Sequence, residues 1–217
     1  QGLYSLKDLW IPCLLAGIIG ILIVVQPDLG TAIIIFLILL VFITAIEIDN
    51  RILTRFFGIG LLSAPLLWFA LKDYQKLRVM TLFNPEVDPL GAGYHSIQSK
   101  IAIGSGGFSG KGLFMGTQSR LNFLPEKHTD FIFSVFAEET GFIGVVILLL
   151  LYLFIILKGL NIAFHASDRF GLFLALGITS SISFYIFFNI GMTIGLFPIT
   201  GLPLPLLSYG GSSLISN

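Results

Sequence analysis

Five apolar runs organise the chain, near 10–25, 29–46, 52–71, 139–157 and 170–197, and few charged residues interrupt them. Runs of this length and apolarity predict helices that cross a bilayer, which takes about 20 residues. The apolar stretches of the first and fourth are short; uncharged flanking residues or tilt supply the remainder. A further span is expected to begin after residue 209. The fold class is therefore an all-α integral membrane protein, a polytopic helical bundle with one large extracytoplasmic loop at 72–130. The first residue is Gln1 and the last run stops short of a crossing, so the sequence reads as an internal piece of a longer chain.

Composition agrees with the pattern. Hydrophobic residues make up 55% and charged residues 11%, against about 25% charged in an ordinary soluble domain. The formal net charge is zero, which leaves no basic surplus to neutralise phosphates and excludes nucleic acid as a partner. The one cysteine, Cys13, lies in an apolar run and reads as a small core residue.

Charge also orients the spans. The short loops on one side hold Lys7, Arg51, Arg55, Lys158 and Arg169; those on the other, around 26–28 and 198–207, hold no Lys or Arg. The positive-inside rule puts the first set in the cytoplasm and residues 72–130 outside. That segment is too long for a simple connector and carries seven of the 12 basic residues, a density that points to function.

Four stretches carry candidate chemistry. In Leu124-Pro-Glu-Lys-His-Thr-Asp-Phe-Ile-Phe133, Pro125 suits a helix start and Thr129 or Asp130 a cap. Asp130, Ser134 and Glu138 are spaced by four and share a helix face. Carboxylates entering a membrane on that face are functional candidates; the alternative is a cap plus acids favoured by the helix dipole. Gly104-Ser-Gly-Gly-Phe-Ser-Gly-Lys-Gly112 is not a phosphate loop, since Ser105 stands where a glycine is required and Gly112 where Ser or Thr is. On these residues alone it reads as a flexible loop with a solvated lysine. The uncharged stretch from Gly195 to Ser213 holds three prolines and four glycines. Irregular backbone at that depth is tolerated when buried in protein or lining a cavity, and a cavity is the preferred reading. In Gln26-Pro-Asp-Leu-Gly-Thr31, Asp28 is the expected cap of the second span.

Together these segments resemble the SEDS family (shape, elongation, division and sporulation), which includes RodA, FtsW and SpoVE. The resemblance rests on Asn189 followed by a Gly-x-x-Pro, a Gly and Ser208-Tyr-Gly-Gly-Ser-Ser213, and on the Gln26–Thr31 and Pro125–Phe133 strings. Gln98-Ser-Lys-Ile-Ala-Ile-Gly-Ser-Gly-Gly107 and Gly116-Thr-Gln118 look like the RodA branch, which acts in elongation. The family fold has ten spans, and this chain corresponds to the fifth through the start of the tenth.

The resemblance implies a peptidoglycan glycosyltransferase that polymerises lipid II outside the bacterial cytoplasmic membrane. It implies Asp130 as the catalytic base toward the acceptor sugar's 4-hydroxyl. It also implies a divalent cation (Mg or Mn) at the leaving pyrophosphate, and a class B penicillin-binding protein and the elongation machinery as partners beside membrane lipid. A lipid-linked donor suits an extracellular site without nucleotides, since it brings its own leaving group and needs a base and positive charge nearby. Lys111, Arg120 or Lys127 are the candidates for that charge. Further candidate substrate contacts are Gln98, Ser99, Lys100, Glu126, His128, Thr129 and Ser208, with Glu138 as a candidate metal ligand. Two other classes compete: a lipid II flippase, which the broken segment at 195–211 would suit, and a non-catalytic scaffold for a penicillin-binding protein. Glycan made in detergent separates polymerase from transporter, and growth supported by catalytically dead variants would mark a scaffold.

Overall fold

A computed structural model describes residues 10–26, 28–45, 54, 58, 68, 69, 71–117 and 129–209. Among them the regular structure is helical: α1 (Trp10–Val25), α2 (Leu29–Ala45), α3 (Asp73–Phe83), a 3-10 turn (Pro85–Val87), α4 (Ala92–Gly106), α5 (Ile132–Phe164) and α6 (Arg169–Ile194). The apolar run at 52–71 lies mostly outside the described residues, and the start of a span after 209 lies wholly outside them. The chain divides into two compact units, residues 1–76 with 159–181 and residues 77–158 with 182–217.

In the first unit α1 packs against α2. The turn between them is fixed as the sequence predicts: Asp28 accepts from the Thr31 amide at 3.1 Å and the Thr31 hydroxyl at 2.6 Å, capping α2. Phe42 meets Phe173 edge-on, with centroids 5.7 Å apart.

The second unit carries the chemistry. Its core is Phe133, Tyr152, Ile186 and Leu204. Part of the predicted loop at 72–130 is folded as α3 and α4. Asn84 caps the 3-10 turn through the Glu86 amide, and Asp88 caps α4 through the Gly91 and Ala92 amides. The buried face of α4 is Gly93, Ser96, Ser99, Ala102 and Gly106, all small, which lets backbones approach closely. Gly106 uses that allowance: a Cβ there would fall on the Ala137 carbonyl oxygen.

Helix α5 is broken at Gly141, whose φ of 66° lies in the left-handed region. Four backbone bonds join the two sides of the break to the Gly-rich turn. The Glu138 and Glu139 carbonyls accept from Lys111 and Gly112, each at 3.0 Å, while Phe142 and Ile143 donate to Gly107 and Phe108 at 3.0 and 3.2 Å. The turn is thus a fitted plug for a broken helix, where the sequence reading has a flexible loop. The Glu138 and Glu139 carbonyls and the Phe142 and Ile143 amides are all paired at the break.

Helices α5 and α6 are long and apolar enough to cross a membrane, yet only 11% of the most apolar window of each is buried. Leu149, Leu150, Leu151, Leu153, Phe154 and Leu157 all stand exposed along α5. A helix apolar on all sides and uncovered by protein is stable against lipid. Among the described residues the regular structure is all helical, and two of the helices are long and apolar enough to cross a membrane.

Candidate functional site

Asp130, Ser134 and Glu138 stand at three successive tiers, the last two buried on α5 and Asp130 on the turn that precedes it. The chain turns at 129–131, and the first bond of α5 closes on the Phe131 carbonyl, one residue beyond the expected cap.

The first tier holds Asp130, half-buried on this turn. Asn189, the one side-chain amide of α6, is fully buried beneath it. Its amide nitrogen spends both hydrogens on backbone, donating to the Asp130 carbonyl at 2.9 Å and the Leu202 carbonyl at 2.7 Å. Ser208 makes a second clamp: its hydroxyl donates to the Thr129 carbonyl and accepts from the Leu204 amide, both at 2.7 Å. Tyr152 adds a third tie, donating to the Pro205 carbonyl at 2.7 Å. The irregular segment 195–209 is therefore bonded to the turn bearing Asp130. A Cβ placed on Gly201 would stand 3.5 Å from Asp130 Oδ2, so the glycine adjoins the carboxylate without setting a side chain against it.

The second tier is buried. Ser99 of α4 donates to the Thr193 carbonyl of α6 at 2.7 Å and stands 2.7 Å from Ser134. With the one Ser99 hydrogen committed to Thr193, Ser134 is the donor to Ser99. Three helices are fixed at this level.

The third tier is Glu138, with no exposed surface. One carboxylate oxygen accepts from the Lys111 ammonium at 2.7 Å, the Thr117 amide at 2.8 Å and the Thr117 hydroxyl at 3.1 Å, with Ser105 at 3.4 Å. Lys111 is the cation beside Glu138, in the place the sequence reading gives to a divalent metal. No three His, Cys, Asp or Glu side chains converge among the described residues. These residues do not fit a protein-built metal centre.

Of the other sequence candidates, Gln98 is half-buried on α4 and Lys100 is exposed on the same helix. The Lys100 ammonium lies against Gly195, where an added Cβ would fall on its Cε and Nζ. Arg120, Glu126, Lys127 and His128 lie outside the described residues. Sequence reasoning passed over Thr117, Ser105, Thr193, Gly195 and Gly201 as site residues. Asn189 belongs to the signature, and as the lone side-chain amide of a long helix it is itself a signal.

The family described as cell cycle protein, that of FtsW, RodA and SpoVE, matches residues 3–217 of this chain. The peptidoglycan glycosyltransferase MrdB of Escherichia coli is 50% identical over 218 residues, 97% of this chain and 57% of that protein. The peptidoglycan glycosyltransferase RodA of Treponema pallidum is 54% identical over 144 residues, 66% of this chain and 33% of its own length. Among solved structures, a chain of a peptidoglycan synthase complex, described as coordinating polymerization and crosslinking, superimposes with a TM-score of 0.78. It is 32% identical, over 98% of this chain and 59% of that one. The chain thus spans a little over half the length of the relatives it matches.

Proposed function

The chain belongs to the FtsW/RodA/SpoVE family, and on that premise we propose that the protein it comes from is a peptidoglycan glycosyltransferase. It polymerises lipid II at the outer face of the bacterial cytoplasmic membrane during elongation. The acceptor's 4-hydroxyl attacks the anomeric carbon of the donor sugar as the bond from that carbon to the pyrophosphate oxygen breaks, with inversion. Asp130 takes the hydroxyl proton, and the pyrophosphate leaves on its polyprenyl chain. A divalent cation would supply further positive charge to the departing pyrophosphate, brought with the substrate rather than held by these residues. The partner is a class B penicillin-binding protein, in keeping with the similarity to a chain of a synthase complex that couples polymerization to crosslinking.

One observation carries the assignment of the base. The backbone on which Asp130 sits is held by Asn189 and Ser208, while Asp130 itself is only half-buried and Gly201 puts no side chain against its carboxylate. A general base must be fixed in place and reachable, and it contributes about 10²- to 10⁴-fold in rate. The test is glycan synthesis from purified lipid II by the full-length protein with its partner in detergent. Asp130→Ala and Asp130→Asn are expected to lose at least about a hundredfold while retaining the wild-type melting profile. Polymerisation retained by either variant removes Asp130 from the mechanism. A wild type that makes no glycan under these conditions turns the assignment toward transport.

A further inference from the structure

The reaction needs a cation for the departing pyrophosphate, and the two described lysines near the tiers differ in what they can offer. The ammonium of Lys111 is 2.7 Å from the buried carboxylate of Glu138 and 2.8 Å from the Thr117 hydroxyl. Its charge is matched and two of its three hydrogens are committed. Lys100 has no ion pair among the described residues. It is the one charged residue of α4, and it sits on an exposed stripe with Ile97 and Ile101 at helical spacing, continued by Phe108 beyond the helix end. The ammonium rests on Gly195, at the end of α6, where Ile194 and Leu196 are also exposed.

A cation with no ion pair among the described residues, set in an exposed apolar stripe, suits an amphiphile whose chain lies on the stripe and whose anionic head meets the ammonium. The strip of chain from Gly195 to Gly201 adds the link to catalysis. Both glycines have positive φ, 79° and 74°. One faces the Lys100 ammonium and the other the Asp130 carboxylate. Base and cation therefore converge on the two ends of a single seven-residue segment, and the residue that follows it, Leu202, is tied to the Asp130 turn through Asn189.

We propose that Lys100, seated on Gly195, is the binding residue for the pyrophosphate of the polyprenyl-linked substrate and product, and that Lys111 is a structural counter-ion. This deepens the glycosyltransferase reading and rests on it for the identity of the ligand. It predicts that Lys100 is sensed by a lipid diphosphate more than by a lipid with a single phosphate.

The experiment measures direct binding of polyprenyl pyrophosphate, polyprenyl monophosphate and phosphatidylglycerol to the full-length protein with its partner. Lys100→Met is expected to weaken polyprenyl pyrophosphate about tenfold to a hundredfold, the size of a lost charge-assisted hydrogen bond, and the other two ligands less. Gly195→Ala, which keeps the charge and displaces the ammonium, is expected to weaken the same ligand in the same order. Melting curves of both variants accompany the binding data. Unchanged pyrophosphate binding by Lys100→Met overturns the proposal, and a loss of thermal stability with binding intact would identify Lys100 as a mere cation at the C-terminal end of the α6 dipole. An equal loss for all three ligands also overturns it, in favour of a general headgroup contact. Because these readouts need no turnover, they stand apart from any failure of Asp130 as the base.

Discussion

The Lys111 ammonium lies 2.7 Å from Oε1 of Glu138, a carboxylate with no solvent-exposed surface. Removing the cation strands a buried charge. For a fully buried pair that costs about 3–5 kcal/mol, and the partial exposure of Lys111 lowers the figure to about 2–4 kcal/mol. Lys111→Met is therefore expected to melt well below wild type in detergent. Lys111→Met combined with Glu138→Gln should recover most of the loss, because neither buried charge then remains. A double-mutant cycle of melting midpoints reads the coupling, and strictly additive losses would show that the pair does not act as one unit.

Gly104 and Gly106 lie two residues apart on α4 and should respond to alanine in opposite directions. Nothing approaches within 4 Å of a Cβ at Gly104, whereas one at Gly106 would fall on the Ala137 carbonyl oxygen. Gly104→Ala should raise stability by about 0.5–1 kcal/mol through helix propensity alone. Gly106→Ala should be strongly destabilising, since it pushes α4 off α5 and with it the four backbone bonds at the break. Thermal unfolding of the two variants side by side checks both signs.

Gly201→Ala tests whether the lack of a side chain beside Asp130 matters. The new Cβ would stand 3.5 Å from Oδ2, an ordinary contact rather than a clash, but a φ of 74° strains an alanine by about 1–2 kcal/mol. The expected outcome is a modest drop in melting point with a disproportionate fall in glycan synthesis. A fall in synthesis no greater than the loss of folded protein would mean that side of the carboxylate is not a substrate approach.

Much of this arrangement was legible because it follows from composition and spacing. Ser134 and Glu138 share a face wherever the chain is helical, and the Asp28 cap follows from an acid three residues before a threonine at a helix start. The Gly-rich turn was misread for a physical reason. Its role depends on a break at Gly141, and a lone glycine in an apolar run looks the same whether it bends the helix or is tolerated within it. Lys111 was read as solvated for the same reason, since its partner lies 27 residues away and only the backbone bonds at the break bring them together. Helix α4 left a weak trace because its buried face is built from Gly, Ser and Ala, which carry little hydrophobic signal. The pairing of Lys100 with Gly195 joins residues 95 apart and has no local signature at all.

Asn189 offers the sharpest test of how the Asp130 turn is held. Two carbonyl oxygens, of Asp130 and Leu202, face one another across its amide, and only a group with two hydrogens on one nitrogen can satisfy both. Asn189→Ala removes both donors from a buried setting and should cost about 2–4 kcal/mol. Asn189→Asp keeps the shape but sets a carboxylate oxygen against two carbonyls, so it should be worse than alanine in both stability and glycan synthesis. Tyr152→Phe is the comparison: it cuts one tie from the same segment, at the Pro205 carbonyl, without touching the Asp130 backbone. It should cost about 1 kcal/mol and leave the rate per folded molecule near wild type. If Tyr152→Phe and Asn189→Ala lower that rate equally, the segment as a whole governs activity, and the two bonds from Asn189 hold no special claim on the base.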